Sequence, residues 1–267
     1  MEDSHVSPLA ASGLTLAYDG RTIVDGLDIE VPRGGFTIIV GPNGCGKSTL
    51  LKALSRTLKP VAGSVLLEGS PIDGMRSKAV ARRLAMLPQS PIAPDGITVR
   101  DLVGRGRYPH QGIFRQWSVE DSDAVNAALA STGIEELGER YMSELSGGQR
   151  QKAWIAMVLA QRTELMLLDE PTTFLDIAHQ YEVLQLCARL HGEGRTLVAV
   201  LHDLNQAARY ATNLVVMKEG TIVAQGEPAA TLTADLVEDV FGLPCAIIRD
   251  PESGSPMVIP RLTPVTP

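Results

Sequence analysis

Residues Gly41-Pro42-Asn43-Gly44-Cys45-Gly46-Lys47-Ser48-Thr49 fit the pattern G-x-x-x-x-G-K-[ST], an order of residue types suited to holding phosphate. Glycines admit backbone angles that turn successive N–H groups inward, and a helix after such a loop points its positive end at the same spot. Lys47 is then placed to reach the β- and γ-phosphates of a nucleoside triphosphate. Ser48 offers a hydroxyl to Mg²⁺, and Thr49 adds a donor near the phosphates. A second group, Asp169-Glu170-Pro171, follows the apolar run Leu165-Met166-Leu167-Leu168. Ligands bind at the C-terminal ends of strands in open α/β sheets, so Asp169 is expected to hold Mg²⁺ and Glu170 to orient and deprotonate an attacking water. In isolation the same acids would read as the cap of the next helix. In Leu145-Ser146-Gly147-Gly148-Gln149, Ser146 and Gln149 have capping-box spacing. A capped helix start with two glycines also presents free N–H groups to an anion.

The elements that must position these groups follow from pattern. Leu14 to Val40 reads as short strands broken at Asp19-Gly20 and at Pro32 to Gly35, ending in the apolar run Phe36 to Val40 that feeds the glycine loop. Ser48 to Leu58 has helical spacing and Ser64 to Glu68 that of a short strand. From about Ser90 to Arg140 turn-rich stretches precede a helical Glu120 to Thr132, which predicts an inserted, mainly helical subdomain. Alternation then returns with a helix over Gly147 to Gln161, a strand over Leu165 to Leu168, a helix over Ile177 to His191 and a strand over Thr196 to Leu201. Strands alternating with helices predict a parallel sheet. A late hairpin flanks Lys218-Glu219-Gly220, and beyond Thr233 a short helix precedes a Pro-rich tail. The predicted class is α/β: a P-loop NTPase core with a mainly parallel sheet, an N-terminal antiparallel β part and the helical insertion. The expected domains are residues 1–88 with 159–235 as an ATP-binding core, 89–158 as the helical subdomain and 236–267 as an extension.

Composition bounds the function classes. The chain of 267 residues is 44% hydrophobic, enough for a substantial core. With 24 basic against 31 acidic residues its net charge is −7, which argues against nucleic acid as a partner. Its apolar runs are strand-sized and far short of the roughly 20 residues needed to span a bilayer. Met1-Glu2-Asp3-Ser4 lacks the basic-then-apolar pattern of a signal peptide, so a cytosolic location is expected. The three cysteines, Cys45, Cys187 and Cys245, are far apart with no CxxC pair, and read as reduced thiols. Beside Lys47 in a nest of N–H donors, Cys45 is either an acidified, reactive thiol or a small loop filler.

Together these motifs resemble the ABC ATPase family over about residues 10–240. The resemblance implies that Ser146, Gly147, Gly148 and Gln149 form the signature that contacts the γ-phosphate of ATP held by a partner subunit, giving a head-to-tail homodimer with two sandwiched ATP molecules. It further implies that Tyr18, 23 residues before Gly41, stacks on adenine. Gln89 senses Mg²⁺ and water and couples the site to the helical subdomain; Asp176 communicates across the dimer; His202 contacts the γ-phosphate. By residue type alone, Tyr18 is a strand-edge tyrosine, Asp176 a helix cap and His202 a structural histidine.

One motif set, no coiled-coil insertion and no fused membrane segment are similar to importer subunits, which work peripherally at the cytoplasmic face on polytopic permeases served by a substrate-binding protein. Gly104 to His110 and Pro171 to Gln180 look like the subgroup for ferric siderophores, with haem and cobalamin importers as near alternatives. A soluble ABC ATPase of assembly or regulation is the competing class. Arg105 to His110 also fits a solvated basic loop.

Overall fold

The computed structural model describes residues 6–112 and 117–261; Met1 to Ser4, read above for a leader, and residues 262–267 of the tail lie outside them. The chain divides into two compact units, Met1–Pro71 with Val198–Pro267, and Ile72–Leu197.

The first unit opens with β1 (Leu9–Tyr18), β2 (Arg21–Val31), β3 (Phe36–Val40), α1 (Lys47–Leu54), β4 (Ala62–Leu67) and β5 (Ser70–Pro71). An antiparallel sheet runs in the order β2-β1-β4-β5. Its first hairpin turns on Asp19 and Gly20, at φ 47° and 80°, the left-handed pair that matches the twist of a two-residue hairpin. β3 is buried at every residue, which is why its sequence is a continuous apolar run rather than an alternation. The helix after the glycine loop ends at Leu54, earlier than its spacing predicts. Arg56 turns left-handed at φ 63°, and the N–H groups of Thr57 and Leu58 both bond back to the Lys52 carbonyl at 2.8 and 3.0 Å.

The second unit contains α2 (Ser77–Ala81), β6 (Leu84–Leu87), α3 (Val99–Gly104), α4 (Val119–Thr132), α5 (Gly147–Ala160), β7 (Leu165–Asp169) and α6 (Ile177–Gly192). β6 is too short to show a period. It exists because it pairs in parallel with β7, from Leu84 with Leu165 to Leu87 with Leu168. α3, α4 and α5 pack around Leu102, Val125, Leu129, Ile155 and Leu159, all buried. The stretch Arg105–His110 is a 3₁₀ turn and not a solvated basic loop throughout. A Cβ on Gly106 would lie 2.1 Å from the Met157 carbonyl, so glycine lets this turn press onto α5. Arg107 is 1% exposed; its Nε donates to Asp121 Oδ1 at 2.9 Å and its Nη1 to the Ala160 carbonyl at 2.8 Å. Arg105 and Tyr108 remain exposed.

The chain returns to the first unit through β8 (Thr196–Val200), α7 (Leu204–Tyr210), β9 (Asn213–Lys218), β10 (Thr221–Gly226), α8 (Pro228–Thr231), α9 (Ala234–Phe241), β11 (Cys245–Arg249) and β12 (Pro256–Pro260). Here the strands run β10-β9-β3-β8. β3 and β9 are parallel, and the β9–β10 hairpin turns at Glu219 and Gly220. The fold is α/β, with mostly parallel strands beside an antiparallel N-terminal sheet. Among the described residues, the Pro-rich tail forms the β11–β12 hairpin. Pro256 and Pro260 sit at the ends of β12, opposite Arg249 and Cys245, where a missing N–H is tolerated. Among the described residues no helix is long and apolar enough to cross a membrane.

Candidate functional site

In the first unit, β3 delivers the glycine loop and α1 leaves it. A Cβ on Gly41 would lie 2.2 Å from the Met217 carbonyl and 2.8 Å from Cys45 Sγ, so only glycine fits where the loop crosses β9. Gly44 and Gly46 hold φ values of 78° and 105°, which L side chains rarely adopt. The first helical bond runs from Leu50 N to the Gly46 carbonyl at 2.8 Å. The N–H groups of Lys47, Ser48 and Thr49 therefore fall in the first turn, where a helix has no carbonyl partner of its own to offer, and no acid sits there to repel an anion. Lys47 is 5% exposed and its Nζ donates to the carbonyls of Gly41 and Pro42 at 2.7 and 2.9 Å. Asn43 and Gly44 form the exposed rim.

Two further expected residues share this unit. Leu201 N donates to the Ile39 carbonyl at 3.2 Å, tying the end of β8 to the strand that feeds the loop, and His202 is the next residue, exposed at that edge. Gly46 lies against Val24 of β2. Val24 pairs with Leu16 of β1, two residues before Tyr18, which is 41% exposed.

In the second unit, β7 ends in Asp169, buried at 1% exposure. Glu170 follows in a left-handed conformation at φ 51°, which turns its carboxylate off the strand line. Thr173 holds it there, its Oγ1 donating to Glu170 Oε2 at 2.9 Å and its N–H to the Glu170 carbonyl at 3.2 Å. Gln89 stands exposed two residues past β6. Because Leu87 pairs in parallel with Leu168, Gln89 leaves the sheet beside Asp169 and Glu170.

The signature also belongs to this unit. Ser146 Oγ accepts from Gln149 N at 3.3 Å, and Gln149 Oε1 accepts from Ser146 N at 3.1 Å, so the capping box forms as the spacing predicts. A Cβ on Gly147 would meet nothing nearer than the Phe174 carbonyl at 4.0 Å, whereas one on Gly148 would lie 2.3 Å from the His179 ring. Gln151 Nε2 donates to the Pro171 carbonyl at 2.8 Å. Signature and carboxylate loop are thus braced against each other. Asp176 caps α6, its Oδ1 accepting from His179 N at 3.0 Å and lying 2.7 Å from His179 Nδ1. The backbone bond from His179, then its ring, hold the Asp176 carboxyl below the usual aspartate range.

The sequence reading assigned no role to Thr173 or His179. Both stand three residues after a candidate carboxylate, Glu170 and Asp176, a spacing at which a turn brings side chains together. The reading of Cys45 as an acidified thiol is corrected. The residue is 6% exposed, and burial pushes its thiol up while nearby Lys47 only partly opposes it. The loop-filler alternative fits.

The sequence profile described as ABC transporter matches residues 24–173, more than half of the chain. The chain belongs to the ABC transporter family. Within that family it is 54% identical to the ferric enterobactin transport ATP-binding protein FepC of Escherichia coli, over 96% of this chain and 94% of that one. It is 51% identical to the probable siderophore transport system ATP-binding protein YusV of Bacillus subtilis, with the same coverage of 96% and 94%. Among solved structures, an inward-facing conformation described as that of a metal-chelate type ABC transporter superposes with a TM-score of 0.83 at 28% identity, over 97% of this chain and 99% of that chain. As an ABC cassette, the chain is an ATP-binding, ATP-hydrolysing protein coupled to transport.

Proposed function

We propose that this chain is the ATP-hydrolysing subunit of an importer of ferric siderophores, acting as a head-to-tail homodimer on polytopic permease subunits at the cytoplasmic face of the membrane, with a substrate-binding protein delivering the cargo. The observation that carries the substrate class is identity above half, over almost the full length, to a ferric enterobactin transport subunit. On this reading residues 1–88 and 159–235 are the ATP-binding core, 89–158 the signature subdomain and 236–267 an extension.

The loop Gly41 to Thr49 cradles the phosphates through its N–H groups, and Lys47 exchanges its loop carbonyls for the β- and γ-phosphates. Its glycines support this: a Cβ would fill the crossing at Gly41. Ser48, Asp169 and Gln89 present oxygen ligands of the kind a hard cation takes, and are the residues that would hold Mg²⁺. Held there, Mg²⁺ would supply positive charge against the negative charge that develops on the phosphoryl group in the transition state. Glu170, held by Thr173, takes the proton of the attacking water, and His202 donates to the γ-phosphate. Tyr18 stacks on adenine. Ser146, Gly147, Gly148 and Gln149 complete the donor set on ATP held by the partner subunit, and Asp176 relays the state of one site to the other. Phosphoryl transfer asks for positioning and charge stabilisation more than covalent chemistry, so a lone subunit lacks part of the catalyst. ATP closes the dimer and hydrolysis reopens it, and that cycle drives the permease.

Light scattering of a Glu170→Gln variant with Mg²⁺ and ATP tests this arrangement. Dimers are expected, and none when Ser146→Arg is added. ATP-bound monomers in both variants, with the permease also present, would overturn the composite site. The substrate class is tested separately in proteoliposomes holding the permease and the binding protein: ferric siderophore stimulates ATP turnover and haem does not, and the reverse pattern would refute it.

A further inference from the structure

We propose that the C-terminal hairpin β11–β12 is a clamp on α7 that positions His202. This rests on the assignment of His202 to the γ-phosphate. His202 and Asp203 join β8 to α7, and Asp203 caps that helix, its Oδ1 accepting from Asn205 N and Gln206 N, both at 2.8 Å. The backbone of His202 therefore runs between Leu201, whose N–H bonds the Ile39 carbonyl of β3, and the capped first turn of α7, so a shift of that turn moves one of its two anchors. α7 has seven residues, too few to be stable as an isolated helix, and its position depends on what it packs against. One side lies on β3, with Ala207 and Ala208 buried; another lies on β12.

The contact with the hairpin is specific at both ends of the helix. Asn205 bonds the backbone of Val258 with both halves of its amide: Val258 N donates to Asn205 Oδ1 at 2.7 Å, and Asn205 Nδ2 donates to the Val258 carbonyl at 3.3 Å. Four residues on, on the same helix face, Arg209 meets Asp250, with Nε and Nη2 at 3.0 and 2.8 Å from Asp250 Oδ2. Asp250 is 6% exposed and is fixed within the hairpin turn, accepting from Glu252 N at 2.9 Å and Ser253 Oγ at 2.8 Å. A hairpin that only covered apolar surface would need neither the amide pairing at one end of α7 nor the ion pair at the other. Together they fix the helix along its axis and about it. Asn205 and Arg209 are thus positioning residues that act through His202.

Steady-state ATP hydrolysis by the full-length chain with its permease tests the clamp, using Asn205→Ala, Arg209→Ala and His202→Ala singly and combined. Each clamp variant is expected to lower kcat about tenfold or more with KM for ATP changed by no more than about twofold, because a misplaced group costs rate rather than ground-state binding. In the His202→Ala background the clamp variants should add no further loss. Independent, multiplying losses, or unchanged kcat in the clamp variants, would overturn the proposal. If His202→Ala itself hydrolyses ATP normally, the assignment of His202 fails, and a clamp acting through it fails too. Should the alanine variants not fold, Asn205→Asp and Arg209→Lys take their place. Asn205→Asp keeps the acceptor for Val258 N but loses the donor to its carbonyl, and Arg209→Lys keeps the charge. Both should show the same kcat loss in smaller measure, and wild-type kcat in both would equally overturn the clamp.

Discussion

Replacing Arg107 with methionine removes a buried guanidinium while keeping an unbranched apolar chain in its place. The structure fixes what is lost. Arg107 is 1% and Asp121 2% exposed, and the guanidinium supplies both the 2.9 Å bond to Asp121 and the 2.8 Å bond to the Ala160 carbonyl near the end of α5. Removing one member of such a pair strands the other charge in a low-dielectric site, a loss of about 3–5 kcal/mol. In a chain of this size each kcal/mol moves Tm by about 2–4 °C, so thermal unfolding followed by circular dichroism should shift down by about 6–20 °C. The double variant Arg107→Met/Asp121→Leu should recover most of that loss, since apolar replacement of both partners is often neutral or better. The pH dependence has a definite sign. Burial alone would raise the Asp121 carboxyl, but hydrogen bonds from Ser118 and Arg107 hold it down from its ordinary 3.8 to about 2. A carboxyl depressed in the folded state contributes stability that is present above its unfolded value and lost as pH falls through the folded one. The gap between wild type and Arg107→Met should be full at neutral pH and narrow between about pH 4 and 2. A loss below about 1 kcal/mol, typical of exposed pairs, would refute the reasoning.

Two other outcomes follow from the site. Thr173→Val removes the hydroxyl that bonds Glu170; kcat should fall about tenfold and its pH profile move while ATP affinity stays, with Thr173→Ser restoring both. Wild-type kinetics in the valine variant would show that Glu170 is held without it. All three cysteines are buried, burial raising the thiol of Cys45 and pushing that of Cys187 up to about 12. The native chain should therefore react with a thiol reagent at neutral pH far more slowly than the same chain in guanidinium, and a rapid native reaction at Cys45 would contradict its burial.

Much of the frame was legible because it rests on local physics. The left-handed turn at Asp19-Gly20, the apolar run of β3, the capping box at Ser146 and Gln149 and the αL hairpin at Glu219-Gly220 are each decided by neighbouring residues, so pattern finds them. β6 was not legible, because Leu84 to Leu87 is a strand only by virtue of pairing with β7. Nor was the β11–β12 hairpin, whose prolines read as irregular chain until their positions at the ends of β12 are known. The helix expected to Leu58 ends at Leu54 because the chain wraps back onto the Lys52 carbonyl, and no sequence period records that.

The sequence by itself determined the local geometry and the family: a glycine loop after one apolar strand, two acids after another and a capped diglycine helix start, in the order by which the chain resembles its family. Residue type and spacing suffice there, because glycine torsions, helix ends and carboxylates behave alike wherever they occur. Only the tertiary structure decided the state of each group. Arg107 belongs to a buried ion pair and not to a solvated loop, and Cys45 is a raised thiol and not an acidified one. Glu170 is held by Thr173, and the helix that follows His202 is gripped, through its own Asn205 and Arg209, by Val258 and Asp250 of a distant hairpin. Burial and long-range partners set desolvation and orientation, and these depend on which surfaces meet, a property of the folded chain as a whole.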